Sequence, residues 1–179
     1  MTGRLIGVVG PSGVGKDSVM AGLATAAPRF ALVRRVITRA PEAGGEDYTP
    51  ATPEEFERMV TAGAFCLHWQ AHGLSYGIPA EVRDRVGQGA DLLVNLSRRI
   101  LTEANAAFPR FEVLSITAAP ETLAARLAAR GRETPADIRD RRARAVDVPA
   151  GLTVHSVAND GPLAQTVATA LALLQPERV

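Results

Sequence analysis

The sequence predicts an α/β domain with a parallel sheet core flanked by helices. Strand-like apolar runs alternate with helical stretches over most of the chain, the order that builds parallel sheets through right-handed crossovers. Two of the runs, RLIGVV from Arg4 to Val9 and DLLVNL from Asp91 to Leu96, are continuous instead of alternating, as strands buried on both faces are. A glycine-rich turn separates the first run from the first helix. With 179 residues, 46% of them hydrophobic, the chain has material for one domain and too little for two of ordinary size.

Taken in order, Arg4 to Val9 is the first strand, GPSGVGKDS a loop and Ser18 to Ala26 a helix. The β-rich stretch from Ala31 to Thr38 reads as one strand, and APEAGGEDYTP, full of turn formers, as a loop. Thr52-Pro53-Glu54-Glu55 fits a capping box with proline at the first helical position, so a helix starts there and should stop at Gly63. Phe65 to Trp69 is a strand, HGLSYGIP a turn, Pro79 to Val86 a short helix, Asp91 to Leu96 a strand and Ser97 to Ala107 a helix. Phe111 to Thr117 follows as a strand, Pro120 to Arg130 as a helix ending at Gly131, and a second helical stretch opens near Pro135. Leu152 to Ala158 is the last strand and Gly161 to Leu174 the closing helix. The stretch from about 34 to 88 has shorter strands and more loop than its surroundings. The single domain, 1–179, is therefore expected to consist of a core (about 1–33 and 89–179) and a small inserted lobe that closes over a substrate.

Charge excludes some functions. Twenty basic and nineteen acidic side chains leave a formal net charge of +1, so no global field draws the protein to nucleic acid or a membrane surface, and any anion site must be local. The one cysteine, Cys66, rules out an internal disulfide and a cysteine-rich zinc site. The N-terminal run turns to glycine and proline before a signal-like apolar region develops, which makes the cytoplasm the expected location. A monomer or homodimer is expected.

Nineteen of the twenty cations are arginine, and the lone lysine is Lys16. A compact ammonium on a flexible stem suits a point contact with phosphate inside a tight backbone loop, where a planar guanidinium is too large. Gly10, Pro11, Ser12, Gly13, Val14, Gly15 and Lys16 match the first seven positions of G-x-x-x-x-G-K-[ST], the loop whose backbone N–H groups wrap β- and γ-phosphates at a helix N-terminus. The eighth position departs. Asp17 stands where a hydroxyl usually meets magnesium, and Ser18 follows one place later; a carboxylate is itself a hard magnesium ligand, so Asp17 and Ser18 are the candidate metal ligands. ATP and Mg²⁺ are the expected cofactors.

Behind that loop the chain resembles the guanylate kinase group of P-loop kinases over nearly its whole length. Thr38-Arg39-x-Pro41 and the Gly-Glu-Asp-Tyr ending at Tyr48 are similar to that group's grip on the acceptor phosphate, and His72-Gly73-Leu74-Ser75-Tyr76-Gly77 to its second acceptor contact. Arg126-x-x-x-Arg130-Gly131-x-Glu133 is similar to the lid, which the resemblance implies is helical and spans about 126–145, and Asn159-Asp160 to the pair beside the adenine. The departures concern the acceptor. Arg35 replaces a serine, Glu42 a phosphate-gripping arginine, Asn95 an aspartate, and Leu67 the glutamate that reads the guanine edge; leucine cannot accept a hydrogen bond. Together GKDS, VITRAPEAGGEDY, HWQAHGLSYGIP and VNLSRR resemble the ribose 1,5-bisphosphate phosphokinases of bacterial phosphonate breakdown, which make 5-phosphoribosyl 1-diphosphate with ATP.

The resemblance implies roles. Lys16 and the loop amides hold the β- and γ-phosphates; Arg39, Tyr48 and Tyr76 grip the acceptor 1-phosphate; Arg126, Arg130 and Arg132 swing in from the lid; Asn159 lies beside the adenine. Arg35 fits a second phosphate and His72, in the acceptor turn, could touch phosphate; independently of the resemblance, Arg98 and Arg99 follow a strand at its carboxyl end, where open α/β sheets bind ligands, so that one of them, Arg98 or Arg99, could reach the 5-phosphate, while Glu46 and Asp47 could accept from ribose hydroxyls. The alternatives are a guanylate kinase and a non-catalytic guanylate-kinase-like binding module.

Overall fold

The computed structural model describes residues 3–41, 46–131 and 147–175. β1 (Arg4–Val9) is buried along its whole length at the centre of a five-stranded sheet. The sheet runs β2 (Phe30–Leu32), β7 (Asp91–Asn95), β1, β8 (Phe111–Thr117), β9 (Val154–Ala158), with every adjacent pair parallel. The period of two along these strands divides their side chains between two cores. Leu5, Val9, Leu92, Val94 and Val113 fill one face; Ile6, Val8, Leu93, Leu114 and Ile116 fill the other. Burial on both sides is what made these strands read as continuous apolar runs.

Helix α1 (Lys16–Ala26) and the closing helix α6 (Leu163–Leu173) cover the second face, where Val19, Leu23, Val167 and Ala170 meet the strands. On the first face a 3₁₀ turn (Arg98–Ile100) leads into α4 (Leu101–Ala107), which shares that core with α3 (Glu81–Gly87). Leu67 and Ile78 join that same core from a second sheet, so the inserted region is fused to the parallel sheet through shared apolar packing.

The second sheet is ordered β4 (Thr49–Pro50), β3 (Val36–Ile37), β6 (Leu74–Pro79), β5 (Phe65–Ala71). Two expectations are corrected here. The stretch from Ala31 to Thr38 is not one strand: β2 ends at Leu32, the chain crosses between sheets at 33–35, and β3 resumes in the second sheet. HGLSYGIP is mostly strand; only His72 and Gly73 turn, with φ of 53° and 74°, as the two central residues of a hairpin that pairs Ala71 with Leu74. Such tight hairpins need positive φ at both central positions, which glycine supplies freely and histidine tolerates. Gly77 within β6 has a different reason: a Cβ there would lie 2.4 Å from the Phe65 ring.

The capping box forms as expected, Glu55 N–H donating to Thr52 Oγ1 at 3.1 Å and Thr52 N–H to Glu55 Oε2 at 2.8 Å, and it starts α2 (Pro53–Thr61). Helix α5 (Pro120–Arg130) ends at Gly131 with φ 62°. The second lid helix expected from about Pro135, with Arg132 and Glu133, lies outside the described residues, as do Glu42 and Gly45. Among the described residues no helix is long and apolar enough to cross a membrane.

Candidate active site

The carboxyl ends of β1, β7, β8 and β9 open on one edge of the sheet, where ligands of open α/β sheets bind. The loop after β1 turns directly into α1. Its N-cap, Gly15, has φ 93° and offers no side-chain cap, so the first-turn N–H groups of α1 are left for an anion. The loop is braced from both sides. Gly13, at φ 83°, lies under Leu127 of α5, which a Cβ would approach to 3.1 Å; a Cβ on Gly15 would come within 2.7 Å of the Asn159 amide nitrogen.

Lys16 folds back over this loop, its Nζ donating to the carbonyls of Gly10 at 2.8 Å and Pro11 at 3.3 Å. Burial brings its pKa down to about 8; Arg35 and Arg98 push the same way, while Asp17 and Glu46 oppose them. These charges come from α1, the crossover before β3, the segment before β4 and the turn after β7, separate parts of the fold that all act on the Lys16 ammonium. Arg98 is half-buried and Arg99 exposed just beyond Asn95, the last residue of β7. Asp17 and Ser18 are exposed in the first turn of α1. Among the described residues no cluster of three or more histidines, cysteines, aspartates and glutamates could enclose a metal. An exposed carboxylate and hydroxyl beside a phosphate loop nonetheless fit magnesium, which takes one or two protein oxygens and completes its shell with phosphate and water.

Asn159, expected beside adenine, is buried under the phosphate loop. Its Nδ2 donates to the Val14 carbonyl at 2.8 Å, and its Oδ1 accepts from the Thr166 hydroxyl at 2.8 Å. Arg126, expected as a mobile lid arginine, is fastened to the same place, with Nη1 at 3.2 Å from the Val14 carbonyl and Nη2 at 2.7 Å from that of Asn159. Both side chains support the loop in this state. Asp160 Oδ1 accepts from the Ala119 N–H at 2.7 Å, and that bond, followed by one from Thr122, holds its carboxyl below the usual range. Arg130 is exposed at the end of α5.

In the second sheet, Tyr76 stacks on Trp69 with ring centroids 5.3 Å apart, and the Arg35 guanidinium lies 4.9 Å from the Tyr76 centroid. Arg35 is 5% exposed and binds Glu46 with both Nε and Nη2. Outside that pair, Arg34 bonds Asp47 at 3.1 Å and the Tyr48 carbonyl at 3.1 Å. The buried Tyr48 ring carries the Arg39 guanidinium at 5.4 Å, and its hydroxyl donates to the Ala40 carbonyl, so Tyr48 shapes the loop that presents Arg39. Thr38 Oγ1 accepts from the Ser75 N–H at 2.8 Å, tying that loop to β6. His72 sits exposed at the hairpin turn, and Leu67 is buried in the shared core.

The struts were missed in the sequence because they join positions such as Asn159 and Thr166 through a strand-to-helix turn with no motif of its own. The Arg35–Glu46 and Arg34–Asp47 pairs were missed for a similar reason, since their register depends on Thr49 N–H bonding the Arg35 carbonyl at 2.8 Å.

No family model matches the chain. It is 55% identical over 179 residues to the ribose 1,5-bisphosphate phosphokinase PhnN of Ruegeria sp. (strain TM1040), covering 98% of this chain and 94% of that protein. The chain belongs to the ribose 1,5-bisphosphate phosphokinase family. The phosphokinase of Pseudomonas fluorescens (strain SBW25) is 47% identical over 185 residues, covering 97% of this chain and 96% of its own length. Among solved structures, guanylate kinase from Anaplasma phagocytophilum superposes with a TM-score of 0.73 at 18% identity, covering 97% of this chain and 85% of that one. A gluconokinase from Sinorhizobium meliloti 1021 matches at a TM-score of 0.55 and 20% identity, covering 96% of this chain and 90% of that one. The phosphokinase family thus shares the P-loop kinase fold seen here, with its parallel sheet and flanking helices.

Proposed function

We propose that the protein transfers the γ-phosphoryl group of ATP to the 1-phosphate of ribose 1,5-bisphosphate, giving 5-phosphoribosyl 1-diphosphate and ADP in phosphonate catabolism. Near full-length identity to the phosphokinases carries this reading, and the absence of a base-reading carboxylate at Leu67 agrees with it. The attacking group is a phosphate oxygen. A monoester whose second pKa is about 6 is mostly dianionic at pH 7, so no general base is required. The protein must align two polyanions in line and neutralise the charge that spreads over the transferred group.

Lys16 and the loop amides hold the β- and γ-phosphates. Phosphate binding exchanges the Gly10 and Pro11 carbonyls on Lys16 for stronger anionic acceptors. Asp17 and Ser18 would hold magnesium, which would supply charge neutralisation for the transfer. Arg39, presented on the Tyr48 ring, together with Tyr76 and with Arg98 after β7, receives the acceptor phosphates. Arg126 keeps the loop in shape, Arg130 and Arg132 deliver charge from the lid, and His72 contributes at the mouth of the acceptor side.

Purified protein with Mg-ATP should release ADP rapidly with ribose 1,5-bisphosphate and far more slowly with GMP. Faster turnover of GMP would replace this reading with a guanylate kinase. ATP binding without turnover of either acceptor would favour a binding module.

A further inference from the structure

The crossover at Arg34–Arg35 and the segment Glu46–Tyr48 are zipped together by side chains on alternate sides. Arg34 meets Asp47 in solvent, with side-chain exposures of 58% and 84%, whereas Arg35 meets Glu46 inside, at 6% and 14%. The inner pair lies over the Tyr76 and Trp69 rings, with the guanidinium 4.9 and 5.9 Å from their centroids. It stands where the chain crosses from the parallel sheet to the second sheet, beside Tyr76, which the sequence places among the acceptor contacts.

Arg35 looks in sequence like a cation for a second phosphate, yet its charge is already matched. Glu46 takes the Nε and Nη2 edge of this guanidinium, so a phosphate dianion approaching the pair meets the repulsion of the carboxylate together with the attraction of the cation. A carboxylate held by a guanidinium fork retains acceptor capacity on its outer lone pairs. What it can take is a hydrogen-bond donor, and the donors on a phosphorylated sugar are its hydroxyls.

We propose that the Arg35–Glu46 pair reads a ring hydroxyl of the acceptor sugar, Glu46 accepting the hydrogen bond and Arg35 acting as the positioning residue that fixes it. This rests on the reading of the acceptor as ribose 1,5-bisphosphate. The pair is a specificity determinant: an acceptor without the hydroxyl leaves the outer lone pairs of a partly buried carboxylate without a donor.

The test compares kcat/KM for ribose 1,5-bisphosphate, its 2-deoxy and 3-deoxy analogues, and ribose 1-phosphate, in the wild type and in Glu46→Gln and the double variant Arg35→Met/Glu46→Gln. The double variant leaves no lone buried charge, and ratios between substrates do not depend on how much protein is folded. The wild type should prefer the parent over one deoxy analogue by about 10- to 100-fold, the range for a hydrogen bond to a charged group. That preference should shrink to within about threefold in the double variant, with an intermediate value in Glu46→Gln, while the preference over ribose 1-phosphate stays as in the wild type. Equal use of both deoxy analogues by the wild type, or unchanged discrimination in the double variant, overturns the proposal. So does a selective loss of preference over ribose 1-phosphate, which would make Arg35 a 5-phosphate ligand. If the wild type turns over GMP and not ribose 1,5-bisphosphate, the functional reading falls first and the sugar-hydroxyl role with it.

Discussion

Replacing Asn159 by alanine separates a structural strut from a reader of adenine. The side chain makes two buried hydrogen bonds, to the Val14 carbonyl and from the Thr166 hydroxyl, each at 2.8 Å. Neither partner is stranded by its loss. Arg126 still reaches the Val14 carbonyl at 3.2 Å, and Thr166 has the Ala158 carbonyl at 3.4 Å. The cost is therefore nearer one net hydrogen bond plus a small void than two unmatched polar groups, about 1–3 kcal/mol. The phosphate loop would lose one of its two braces at Val14, and triphosphate binding should weaken whatever the base. Urea unfolding measures the stability; competition by ATP and by base-free tripolyphosphate measures the loop. A strut predicts the same loss, several-fold, for both ligands. Weakening of ATP alone, or unchanged stability, would refute the argument.

Other outcomes follow from the same geometry. Because burial lowers the Lys16 pKa to about 8, the ammonium that binds phosphate is lost from the free protein as pH rises through that value; ATP affinity by calorimetry should fall toward tenfold per unit above it, and a flat profile to pH 9.5 would contradict this. In stability the sign is opposite: the charged form is penalised below pH 8, and the penalty disappears as pH climbs toward the ordinary lysine value near 10.5. At the other end of the sheet, burial works against ionisation of Glu112, but Arg4 and then His155 outweigh it and hold the carboxyl below its usual range. Arg4→Met should cost about 3 kcal/mol at pH 7, since Asp91 and Glu112 lose their shared cation, and less in acid, because without Arg4 the burial of Glu112 favours its neutral form and proton uptake relieves the loss; an equal loss at pH 7 and pH 4 in urea melts would refute it. Gly15→Ala meets a left-handed φ of 93° and the Asn159 amide at 2.7 Å, so it should lower stability by about 1–2 kcal/mol and impair nucleotide binding together, checked by thermal unfolding with and without ATP.

The parallel sheet was legible because burial on both faces leaves continuous apolar runs, and the phosphate loop because its glycines and single lysine are a local requirement of phosphate binding. The helix at Thr52 was equally plain, since a capping box is written in four adjacent residues. What escaped was set by long-range pairing. Ala31 to Thr38 is uniformly β-rich, and nothing local says that it leaves one sheet at Leu32 and joins another at Val36. His72-Gly73 is an unusual hairpin turn, so the strand behind it read as loop. Charged residues were legible as candidates but not in their pairings: nothing local in the sequence sets Glu46 against Arg35, or ties Arg126 to the carbonyls of Val14 and Asn159.

The central claim is that this phosphate loop passes a phosphoryl group to another phosphate on a sugar. Phosphorus NMR of a reaction containing Mg-ATP and ribose 1,5-bisphosphate tests it most directly. A pair of coupled diphosphate doublets growing with ADP, beside an unchanged 5-phosphate monoester signal, is the predicted result. Inorganic phosphate alone, or a new uncoupled monoester on a ring hydroxyl, would contradict it.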